Sequence, residues 1–165
     1  MCRTLALIVA LILVITPLGL RAASRSDPLL VSATVAARAK LTLSNASMTF
    51  SDADPDTVPL VPANGGALTI TAKARTTIGS TVTLVVVASS DLQSGLDTIA
   101  ASQLRWTATG TGFVAGTVNK TAAQTVGSWV SSGFWTGTQS YALANAWTYS
   151  TGTYTTTLTY TLTAP

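Results

Sequence analysis

The chain has no histidine and no glutamate, and its one cysteine is Cys2. A Ser-His-Asp triad is therefore excluded. Beyond Cys2, so are a thiol nucleophile, a disulfide and a Cys/His zinc site. Any carboxylate pair must be built from aspartate. Asp91 and Asp97 flank a predicted turn and are the pair to weigh for glycosidase chemistry. Loop aspartates are far more often turn formers, so these absences point to a non-catalytic protein. Charge is scarce too, at 9% of residues, while 47% are hydrophobic. A disordered chain shows the opposite balance.

The N-terminus carries the clearest positive signal. Arg3 is a short basic start, Leu5 to Ile15 is an unbroken apolar run, and Pro17 and Gly19 end it. Ala22, Ala23 and Ser24 supply small residues. This order predicts a cleaved secretory signal peptide over 1–24, cut after Ala22 or after Ser24. The apolar run falls short of the ~20 residues that span a bilayer. Cys2 precedes the run, so it is not placed as a lipid-attachment cysteine. The expected destination is extracytoplasmic: secreted, at the cell surface or in the periplasm.

Removing the leader changes the electrostatics. From Arg25 onward, seven basic residues face six aspartates, leaving +1. No net basic field is then expected to attract nucleic acid or anionic lipid. Residues 25–165 suit one domain, and its core must hold without disulfides.

Period-two alternation dominates that domain. Leu29, Val31, Ala33, Val35, Ala37, Ala39, Leu41 and Leu43 share one face of a predicted strand. Residues 29–43 are thus a long first strand or an extended arm. Met48 to Phe50 is a possible strand, and Ser51 to Pro62 reads as a loop. Asn64-Gly65-Gly66 is a turn. Ala67 to Ala74 alternates, and Thr81 to Ala88 reads as a central strand buried on both faces. Leu96 to Ala101 suggests a helical turn. Strands follow around Leu104 to Ala108, Phe113 to Val118, Thr125 to Val130, Gln139 to Leu143, Ala146 to Tyr149 and Thr153 to Thr163. Many short strands and no long amphipathic helix predict an all-β, immunoglobulin-like antiparallel sandwich.

Two clusters invite a binding role. Asp52, Asp54 and Asp56 have the spacing that opens a calcium loop. Thr57 and Ala63 stand where an EF-hand needs Gly and Glu, so only a looser Ca²⁺ site, or a plain polar turn, remains. No other cofactor is expected. Trp129 and Trp135 sit in Gly/Ser-rich surroundings that read as loops, where indoles stack on sugars or pack at a rim.

The tail from Gly152 to Pro165, with Gly152-Thr153-Tyr154 and Leu158-Thr159-Tyr160-Thr161-Leu162, resembles two bacterial surface families. One is the WxL cell-wall-binding domain, although Tyr160 stands where that family has Trp. The other is the spore-coat-U and archaic chaperone–usher pilin group, whose domains also begin with a segment like Val31-Ser32-Ala33-Thr34-Val35. That group usually carries cysteines, which this domain lacks. Both resemblances cover terminal strands only, and both imply a surface β-sandwich. The pilin resemblance implies that Leu29, Val31, Ala33 and Val35 form an assembly strand donated to another subunit. The plain alternative is the first strand of the chain's own sandwich. The expected function is a non-catalytic surface subunit of pilin, coat or adhesion type. The alternative is a cell-wall or carbohydrate-binding module.

Overall fold

The alternation read from the sequence becomes antiparallel pairing in the computed structural model, which describes residues 23–165. The predicted leader lies almost wholly outside the described residues. The chain divides into two units, 1–33 and 34–165. Residues 23–33 of the first unit carry no strand or helix, and Arg25 Nε meets Asp27 Oδ1 at 3.3 Å there.

The second unit is an all-β sandwich. Its larger sheet takes the order β1 (Arg38–Leu43), β3 (Leu68–Arg75), β10 (Gly133–Ala144), β7 (Leu104–Thr109), β8 (Gly116–Thr117). A short β2 (Leu60–Pro62) pairs with the far end of β10. The smaller sheet is β11 (Leu158–Thr163), β4 (Thr81–Ala88), β9 (Gln124–Val130). Strands β5 (Leu92–Ser94) and β6 (Asp97–Ile99) form a separate hairpin. Every pairing among these strands is antiparallel.

The core lies between the two inner faces. Leu68, Ile70, Ala72 and Ala74 of β3 face it, and so do Val82, Leu84, Val86 and Ala88 of β4. Both sets recur every second residue, as a pleated strand with one buried face requires. Trp106, Tyr141, Val118 and Val126 also belong to it, with Ala101, Leu104, Phe113 and Trp129. Two connections cross from sheet to sheet at the same end and are laced together. Ser132 Oγ accepts from Thr76 N at 2.9 Å and donates to Thr76 O at 3.0 Å. Ser131 N donates to Ser80 O at 2.8 Å, and Ser131 itself takes φ 65°.

Several expectations are corrected. The long first strand shrinks to β1, because its partner β3 ends at Arg75, opposite Arg38, and leaves nothing for residues 29–37 to pair with. Met48 to Phe50 and Ala146 to Tyr149 are not strands, whereas β2 emerges inside the expected 51–62 loop. The expected helical turn at 96–101 is instead the hairpin strand β6, with a 3-10 turn following at Ala101–Gln103. Of 113–118 only β8 is strand, and of 153–163 only β11. The Trp129 and Trp135 neighbourhoods are not loops but the strands β9 and β10.

Candidate functional site

The two edges of the sandwich differ. On the β8/β9 side the sheets are stitched by backbone: Val114 N donates to Val126 O at 2.9 Å and Ser128 N to Gly112 O at 3.0 Å. Phe113, Val118 and Val126 are buried beneath that seam. On the other side β1 and β11 run beside each other with Cα atoms within 8 Å but without pairing. Their inward side chains, Leu41, Leu43, Leu158, Tyr160 and Leu162, are only half-buried. Each strand thus presents an unpaired backbone edge, which is a template for a further strand.

The seam widens at one end into a cavity of about 330 Å³. Leu43, Met48, Phe50, Leu92, Leu158 and Tyr160 are among its lining residues. Because Leu43 ends β1 and Leu158 begins β11, the two strands run in opposite senses. A strand laid between them would have to part β1 from β11 to roughly 9.5 Å, and it would be antiparallel to one and parallel to the other.

Beneath the seam lies a polar knot. Tyr160 OH donates to Gln139 Oε1 at 2.5 Å, and the Tyr141 and Tyr160 hydroxyls lie 2.5 Å apart. Gln139 is 0% exposed and its Nε2 has no partner. Burial pushes the Tyr160 hydroxyl up to about 12, with the bond to Tyr141 opposing. Burial also raises Tyr141 strongly, and the neighbouring Tyr160 adds to the shift.

The expected assembly residues are open to solvent. Leu29, Val31 and Val35 are 86%, 80% and 67% exposed, Ala33 is exposed as well, and none belongs to a strand. The aspartates do not converge. Asp54 Oδ1 accepts from Asp56 N at 2.9 Å, and Asp56 Oδ1 accepts from Trp147 Nε1 at 3.1 Å. Among the described residues no three His, Cys, Asp or Glu are gathered as metal ligands. The Asp52, Asp54 and Asp56 cluster is therefore a turn with one carboxylate capping its own backbone and another holding an indole.

Trp129 and Trp135 do come together, but on each other. Their rings stack 4.7 Å apart at 13°, and Phe113 meets Trp129 edge-on at 4.9 Å. Trp129 is 6% exposed and its Nε1 donates to Thr111 O at 2.8 Å. This pair packs the end of the sandwich and does not offer two ring faces to a sugar. Trp147, read from sequence as part of a short strand, is 70% exposed and is the open indole.

No family model, curated protein or solved structure matches this chain. Among the described residues no helix is long and apolar enough to cross a membrane.

Proposed function

We propose that this is an exported, non-catalytic surface subunit that assembles with its own copies by strand addition. Residues Leu29 to Val35 of one copy lie along the β1/β11 seam of the next. The juxtaposition that carries the reading is an exposed, alternating, unpaired arm in a chain whose sandwich keeps one edge unsealed. Seven residues at ~3.3 Å each reach roughly 23 Å, against roughly 20 Å for a six-residue edge strand. In strand addition the backbone supplies affinity and alternate side chains fill pockets, and the cavity between Leu43 and Leu158 offers the first of those pockets. The signal-like N-terminus supports export, and the terminal-strand likeness to pilin and coat proteins supports the class. Sheet-to-sheet connections within a two-sheet sandwich support an immunoglobulin-like type.

Size-exclusion chromatography with light scattering tests it on two proteins. One is the chain from Ser26, and the other is the same chain carrying Leu29→Ser, Val31→Ser and Val35→Ser. At an ionic strength high enough to screen charge–charge docking, the expected result is concentration-dependent oligomers that the arm variant loses while keeping its fold. Equal association of both proteins would overturn strand addition. A second reading, a cell-wall or carbohydrate module, rests on Trp147 held open by Asp56. It predicts a glycan-dependent fluorescence change that Trp147→Phe abolishes.

A further inference from the structure

Pairing register builds a charge pattern that the net charge conceals. On β1 the outward residues are Arg38 and Lys40, and on β3 they are Lys73 and Arg75. The register sets Arg38 directly against Arg75 and Lys40 directly against Lys73. Like charges opposite each other across a strand pair are destabilising. No aspartate relieves them: the ion pairs among the described residues are Arg25–Asp27 and Lys120–Asp91. Phe134, next in the row on β10 and 62% exposed, lies under Lys73 with Nζ 4.9 Å from its ring centre. The row is therefore a flat, cationic, partly aromatic face at one end of the larger sheet.

The opposite end of the same sheet is acidic. The loop carrying Asp52, Asp54 and Asp56 is tied to the residue after β10: Asn145 Nδ2 donates to Ala53 O at 2.8 Å, and Asn145 N to Pro59 O at 2.9 Å. All three aspartates are exposed. Phe134 and Ala144 are ten positions apart on β10, so the poles stand roughly 33 Å apart. Arg105, level with Ala142, is the cation on the acidic half of the sheet. Four of the seven cations after the leader thus sit at one pole and three of the six aspartates at the other.

We infer that a second copy of this chain docks head-to-tail, its Asp52–Asp54–Asp56 loop on the Arg38–Lys40–Lys73–Arg75 face. The two poles are opposite in sign and nearly equal in charge. An aspartate set over Lys40 and Lys73 relieves the like-charge opposition that the isolated sandwich bears. The two patches differ, so the contact is heterologous and leaves a free pole at each end, which is the geometry of an open filament. The inference extends the self-assembly reading, but other residues carry it.

The test uses the chain with the three arm serines, so that strand addition is blocked and pole docking is read alone. One variant neutralises the acidic pole with Asp52→Asn, Asp54→Asn and Asp56→Asn, which keeps the acceptors for Asp56 N and Trp147 Nε1. A second reverses the basic pole with Lys40→Glu and Lys73→Glu. Sedimentation velocity of the arm-blocked parent should show self-association that weakens about tenfold or more when ionic strength rises tenfold. Each pole variant alone should be monomeric. Mixed, they should form one-to-one pairs, because each retains the pole the other lacks. A mixture that stays monomeric, or parent association indifferent to salt, overturns the inference. Binding of heparin to the basic pole, with no pairing in the mixture, would instead assign that face to an anionic polymer.

Discussion

Glycine placement explains the tryptophans. Gly127 and Trp129 are two apart on β9, and Gly133 and Trp135 are two apart on β10, so each pair shares a face of its strand. The missing Cβ is where the indole lies. A Cβ at Gly127 would come within 2.7 Å of Trp129 Cζ2, and one at Gly133 within 2.8 Å of Trp135 Cε2. Gly127→Ala and Gly133→Ala should each cost about 1–3 kcal/mol, read by denaturant unfolding, since the rings must leave their stack. Unchanged midpoints would mean that the indoles move aside freely. The tyrosine pair gives a second residue-scale expectation. Both hydroxyls are raised above an unfolded value of about 10. Folding therefore favours the neutral forms. Their contribution is complete below about pH 10 and is lost as pH rises toward the folded values. The tyrosinate absorbance of Tyr141 and Tyr160, isolated by comparison with a Tyr141→Phe, Tyr160→Phe variant, should develop only together with unfolding. Ionisation of Tyr141 and Tyr160 while the fold persists at an unfolded-like pH would contradict the buried pair.

At the scale of elements, the hairpin β5–β6 and the 3-10 turn after it depend on Asp91. Its Oδ1 accepts from Ala101 N at 2.9 Å and its Oδ2 from Lys120 Nζ at 2.5 Å. The Lys120 bond, then the Ala101 bond, hold its carboxyl below the usual value. A depressed folded pKa stabilises above the unfolded value of about 4 and is lost as pH falls through the folded one. Asp91→Asn should remove this acid-side dependence, and the two proteins should converge in stability as pH falls through the lowered folded value. A parallel pH profile for both would place the dependence elsewhere. The elements also show what the sequence discloses. Strand β3 is legible because one buried face imposes strict alternation. Strand β4 is legible from its β-branched apolar run, but only the face of Val82, Leu84, Val86 and Ala88 is buried, not both faces as that run suggests, because the second sheet covers one side alone. Strand β10 was read only over 139–143, since Gly133 and Gly137 resemble turn residues until the rings above them are known. The arm misled for the opposite reason. Its alternation is intact, but a strand exists only where a partner backbone is present, and β3 stops at Arg75. Pairs such as Lys40–Lys73 and Trp129–Trp135 depend on register and sheet crossing, which no local pattern encodes.

At the largest scale, the unit 34–165 is an asymmetric sandwich, and that asymmetry bears on how it joins others. On the closed edge, Val114 N and Ser128 N already have backbone acceptors. On the open edge, the outward amides of β1 and β11 have none from each other. Hydrogen exchange separates a seam that is simply an end of the fold from one that receives a strand. In the arm variant kept monomeric at high ionic strength, outward amides of β1 and β11 should exchange quickly, while those of the closed edge and of β4 exchange slowly. In the oligomer formed by the intact arm, the amides of β1 and β11 should slow by an order of magnitude or more, together with those of residues 29–35, as all three enter one ladder. The closed edge should not change. Protection on β1 and β11 without protection on the arm would mean that a different segment fills the seam. Protection on the arm alone would mean that it pairs elsewhere. Only joint protection is accounted for by one chain lending a strand that the next sandwich lacks.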